Sequence, residues 1–145
     1  MKRDFFSFDN LGEEFSSLGK ELRRGTPTAV FGVSDSLKYL LAGLVDSPVV
    51  YITTDRATAG KIAQNIQAFS GKRVHTLLAK DEVLLYRKAL SKDALYNRLC
   101  GIHALQTDGE IIVAEIDALI QLFPKKLPVI TLREGEEYDF LSLPE

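Results

Sequence analysis

Two short apolar runs bracket a helical pattern of leucines, and this order constrains the fold more than any other feature of the chain. Thr28 to Val33 and Pro48 to Thr53 (PVVYIT) are almost wholly apolar, and the second is rich in the β-branched residues that suit a pleated surface. Between them, Ser36 to Leu44 carries Leu37, Leu40, Leu41 and Leu44, an i, i+3, i+4, i+7 set that gives a helix one apolar face. Strands apolar on both faces and separated by helices predict a parallel sheet covered on both sides, its strands joined by right-handed crossovers. The predicted class is therefore α/β. A chain of 145 residues with 46% hydrophobic content is long enough to enclose one such core.

The pattern continues downstream. Arg56 to Phe69 places Ala59, Ile62, Ala63, Ile66 and Phe69 on one face, with Asp55 as N-cap and Ser70–Gly71 as the stop. Arg73 to Leu78 (RVHTLL) reads as a strand. Lys80 to Ser91 is the least periodic stretch and is expected to be a loop with a surface role. Asp93 to Gln106 follows as a helix with Leu95, Leu99, Ile102 and Leu105 inward, then Glu110 to Ala114 (EIIVA) as a fourth strand and Ile116 to Phe123 as a short helix. Leu127 to Leu132 reads as a fifth strand. Upstream, Leu11, Phe15, Leu18 and Leu22 predict an amphipathic helix over residues 10–24 that packs on the sheet and ends at Gly25 and Pro27.

The turn between the first strand and the first helix, GVSDSLKY, has the outline of a phosphate-binding loop with its chemistry removed. In GxxxxGK[ST] the glycines let backbone N–H groups close on phosphate, the lysine reaches the outer phosphates, and the hydroxyl residue holds magnesium. Gly32, Ser36 and Lys38 keep vestiges of that pattern, while Leu37 replaces the second glycine and Tyr39 the hydroxyl residue. Leu37 belongs to the leucine face and is expected in the core. Asp35 puts a carboxylate where a polyphosphate would lie, and like charges at ~4 Å cost ~4 kcal/mol near a protein surface. The loop is expected to bind no cofactor.

Other candidate groups have plainer readings. Glu115 and Asp117 follow an apolar strand, where a working NTPase holds magnesium, but acids at a helix start also complement its dipole. Cys100 and His103 are one helical turn apart with no third ligand near, so no metal is expected. His75 reads as a sheet residue, and Asp81 with Glu82 as a solvated acidic pair. One cysteine excludes an internal disulfide, and a net charge of -2 without a basic stripe argues against strong direct DNA binding. No apolar run approaches the ~18 residues of a membrane span, so a cytoplasmic location is expected.

Laid beside PVVYITTDRATAGKIAQNIQAF, the loop GVSDSLKYLLAGL resembles the N-terminal module of bacterial transcription-repair coupling factor. That module is itself similar to the first domain of excinuclease B, whose loop is an intact GVTGSGKT. Gly32, Val33, Ser36 and Lys38 are kept, and the other glycines and the final threonine are lost, as in the coupling factor's own module. EVLLYRKALSKDALYNRLCGIHAL and EIIVAEIDALIQLFPK also resemble the family's order of loop, helix, strand and short helix. The resemblance spans roughly Leu11 to Phe140.

It implies a RecA-like, three-layer domain over residues 1–133 with a degenerate phosphate loop and no catalytic residues. Residues 134–145 (EGEEYDFLSLPE) are then the entrance to a following domain, with the chain expected to be cut at Glu145. The implied role is DNA repair: a non-catalytic scaffold within the module that recruits excinuclease A, its other partner being the rest of the coupling factor chain. Two alternatives stay open. One is a small NTP-dependent or phosphate-binding enzyme using Lys38 and Glu115, and the other is a free-standing α/β binding domain.

Overall fold

The computed structural model describes residues 7–25, 27–45, 48–80, 92–106, 110–127, 130 and 133–137. In chain order the elements are α1 (Glu13–Arg23), α2 (Asp35–Leu44), β1 (Val49–Thr53), α3 (Arg56–Ser70), β2 (Val74–Leu77), α4 (Lys92–Leu105), β3 (Ile111–Glu115) and α5 (Ile116–Leu119). The fold is α/β, with an open, all-parallel sheet of strand order β1-β3-β2. β3 lies in the middle, and each of its five residues is buried.

The faces of the sheet follow from the alternation of side chains along each strand. Ile111 and Val113 of β3 pack with Ala59, Ile62, Ala63 and Ile66 of α3, with Val49 and Tyr51 of β1 and Tyr39 and Ala42 of α2 against the same cluster. Ile112 and Ala114 point the other way, to Leu77 of β2, Ile102 and Ala104 of α4 and Ala118 of α5. Thus α2 and α3 cover one face, and α4 and α5 the other. The chain leaves β1, crosses under α3 to β2 at the far edge, and returns through α4 to β3.

Local chemistry places the ends of α3 as expected. Asp55 Oδ1 accepts from the Ala57 N–H at 2.8 Å, satisfying one of the orphan donors of the first turn. At the other end Gly71 sits at φ 64°, and its N–H donates to Gln67 O at 2.8 Å.

Several expectations are corrected. Thr28–Val33 is not a strand: no ladder among the described residues reaches it, and Phe31 is 89% exposed. The N-terminal helix spans Glu13–Arg23 rather than 10–24. Gly12, at φ 110°, separates it from a 3-10 turn at Phe8–Asn10, a conformation that residues with a Cβ rarely adopt. α1 packs chiefly on that turn, with Phe8 seated over Gly19. The helix after β3 ends at Leu119 instead of Phe123.

The inward faces of α2 and α4 also differ from the leucine spacing. Leu40 and Gly43 are the buried positions of α2, while Leu37, Leu41 and Leu44 are partly exposed, so Leu37 is not a core residue. A Cβ built on Gly43 would come within 2.7 Å of Ser70 Cβ, so the close crossing of α2 and α3 chooses the face. In α4, Leu95, Leu99 and Leu105 are exposed and the buried set is Gly101, Ile102 and Ala104. Small residues let α4 lie close on β2. Of the fifth expected strand only Leu127 and Ile130 are among the described residues, and neither is in a strand. Most of the Lys80–Ser91 loop, including Asp81 and Glu82, lies outside the described residues.

A Cβ on Gly101 would stand 2.8 Å from Thr76 O and 3.2 Å from Leu77 Cβ, whereas one on Gly60, on the exposed side of α3, meets nothing within 4 Å. Gly101→Ala is expected to destabilise the fold by roughly 1–3 kcal/mol through overpacking against backbone, while Gly60→Ala stabilises by up to about 1 kcal/mol through helix propensity. Urea denaturation of the two variants measures the difference, and equal midpoints would refute the close α4–β2 approach.

Candidate functional site

Residues 32–34 form the approach to α2. Gly32 keeps a left-handed conformation at φ 73°, and Ser34 is the N-cap, its carbonyl accepting from the Leu37 and Lys38 N–H groups at 3.1 and 3.2 Å. Lys38 does not extend over this approach as a free cation. Its Nζ lies 2.8 Å from Asp35 Oδ1, one turn back along the helix, and 5.2 Å from the centre of the Tyr39 ring. Tyr39 in turn lies against Tyr51 of β1, ring centres 6.1 Å apart. Ser36 is exposed in the first turn.

The electrostatic consequence is mutual. The hydrogen bond from Lys38 holds the Asp35 carboxyl below its ordinary value, and the same bond raises the Lys38 ammonium. Burial raises the Tyr51 phenol. A phosphate approaching the loop would meet a lysine already neutralised by its own helix and an exposed carboxylate beside it.

Glu115 is 7% exposed and sits at the end of β3. Its side chain does not cap α5; Oε2 accepts from the Ala79 N–H at 2.9 Å instead, tying the exit of β2 to β3. Losing the acceptor of a buried amide costs about 1–3 kcal/mol, so this part-buried contact gives the carboxylate a structural task. Lys38 and Glu115 thus each have a separate partner. Asp117 is exposed in the first turn of α5, where it complements the dipole.

Around Glu115 the structure builds a collar that sequence reasoning missed. Arg98 Nη1 donates to Leu78 O at 2.7 Å, and its guanidinium lies 5.4 Å from the Phe123 ring centre. Arg56 Nη2 donates to Ala79 O at 3.3 Å. The Gln121 amide meets both backbone groups of Lys80, accepting from its N–H at 2.9 Å and donating to its C=O at 3.2 Å. These side chains from α3, α4, β3 and the segment after α5 fix the backbone where β2 ends. The contacts join positions 20 to 41 residues apart, so no local spacing betrays them.

His75 also has an acid beside it that its own strand does not show. Its Nε2 lies 2.8 Å from Glu110 Oε2, outside hydrogen-bond alignment. Cys100 and His103 remain on one helix, and the Cys100 thiol meets the Tyr96 hydroxyl, raising that phenol. Among the described residues no group of three or more His, Cys, Asp or Glu side chains is placed to hold a metal ion. Among the same residues no helix is long and apolar enough to cross a membrane. Compared with protein families, curated proteins and solved structures, the chain matches none.

Asp35 is expected to titrate below the ordinary aspartate value, and Lys38→Ala to return it there, as read by carboxyl NMR shifts against pH. Because the folded value is depressed, the pair's small contribution is present above the unfolded aspartate value and is lost as pH falls through the folded one. An Asp35 titration indifferent to Lys38→Ala would refute the pairing.

Proposed function

We propose that this chain is a non-catalytic scaffold and interaction domain of a transcription-repair coupling factor. It would be the first, RecA-like part of the module that recruits excinuclease A. The observation that carries the non-catalytic reading is the Lys38–Asp35 pair at 2.8 Å, which engages the loop's cation within its own helix and sets a carboxylate beside it. The parallel α/β arrangement and the GVSDSLKY loop between apolar segments support the same reading, since the family retains the turn and loses its phosphate chemistry. In this reading the domain works in the cytoplasm, its partners are the rest of the coupling factor chain and excinuclease A, and neither DNA nor a membrane is a strong direct ligand. The enzyme alternative asks Lys38 and Glu115 to act together, and the partners of both residues argue against it.

Titration calorimetry with ATP and magnesium tests the proposal. The wild-type chain and Lys38→Ala are expected to give the same heat of dilution and no binding isotherm. Micromolar binding by the wild type that Lys38→Ala abolishes would overturn it.

A further inference from the structure

His75 and Glu110 meet at the amino end of the sheet, from two different strands. His75 lies in β2 opposite Ile112, and Glu110 stands two residues before Ile112, so both side chains are on the face that α4 covers. Their Nε2 and Oε2 atoms are 2.8 Å apart, with 20% and 23% of the two side chains exposed. The Nε2 atom itself is buried and has no hydrogen-bond partner among the described residues. The Glu110 backbone is already engaged, its carbonyl accepting from the Val49 N–H of β1 at 3.3 Å. Glu110 therefore touches both outer strands.

This arrangement suits one protonation state of the imidazole better than the others. A neutral ring protonated on Nδ1 turns a lone pair toward the carboxylate, and one protonated on Nε2 aims its N–H poorly at this geometry. The imidazolium brings a full positive charge, whose attraction to a carboxylate at contact distance does not depend on alignment.

The elements packed against β2 are α3, α4 and β3. α3 lies on the opposite face, and its last two turns, residues 63–70, hold no titratable side chain. α4 crosses Thr76 and Leu77 at Gly101, and beyond that point its one titratable residue is His103, which is exposed. β3 carries Glu115 at the opposite end of the sheet. Lys72 and Arg73 lead into β2, but the Lys72 Nζ donates to Val45 O at 2.7 Å and Arg73 is exposed. Among these groups Glu110 is the acid at the amino end.

We propose that His75 and Glu110 form a protonation-dependent clasp, which ties the amino end of β2 to β3 when the imidazole is charged and slackens when it is neutral. The cohesion of the sheet then answers to acidity in the range where histidine alone ordinarily changes charge. The stabilisation is fully present while the imidazole is charged and is lost as pH rises through the imidazole range.

A double-mutant cycle in urea tests the clasp, using the wild-type chain, His75→Gln, Glu110→Gln and the two substitutions together. At about pH 5.5 an ordinary imidazole is mostly charged and an ordinary glutamate ionised, and the pair is expected to favour folding roughly fivefold. At about pH 8 the coupling is expected to vanish. Should His75→Gln not fold, the wild type against Glu110→Gln reads the same effect, as a gap in the unfolding equilibrium that closes as pH rises. His103→Gln is expected to leave that pH dependence in place. A coupling no larger at the lower pH overturns the clasp. A pH dependence that disappears in His103→Gln assigns the titration to α4 and overturns it equally.

Discussion

The burial of β3 on both faces is the constraint on which the rest of the structure depends. One strand of five residues supplies Ile111 and Val113 to the α3 side and Ile112 and Ala114 to the α4 side, and β1 and β2 hang from its two edges. Burying a Val or Ile side chain is worth about 1.5–3 kcal/mol, so this short segment holds much of the driving force for both layers. Its last residue, Glu115, extends the same logic into polar chemistry. With the strand packed on both sides, its carboxylate is nearly out of water and takes the Ala79 amide as partner. The collar of Arg56, Arg98 and Gln121 then completes the hydrogen bonding of the chain leaving β2.

The turn before α2 combines backbone and side-chain constraints. Gly32 takes a left-handed conformation and Ser34 starts α2. Lys38 closes on Asp35 within one helical turn, and Tyr39 packs toward Tyr51. The turn launches the helix that crosses α3 closely at Gly43.

What is legible in the sequence divides along physical lines. α3 can be read almost residue by residue because its apolar period, Asp55 cap and Gly71 stop are all local signals. The strands β1, β2 and β3 stand out as β-branched runs, and the helices between them imply their parallel order. The faces of α2 and α4 escape the same reasoning because leucine spacing reports hydrophobicity, whereas the actual faces are chosen by close approach at Gly43 and Gly101. Thr28–Val33 has strand composition without a strand's pairing, and composition does not reveal whether an edge is occupied. The pairings of His75 with Glu110 and of Glu115 with Ala79 join segments far apart in sequence. Only the fold brings them together.

The domain is organised outward from β3, and the global ranking of amide exchange tests this organisation. The amides of Ile111 to Glu115 are expected to be the slowest in the chain and to exchange only when the whole domain unfolds. Amides of β2 or α3 that outlast those of β3 would contradict it.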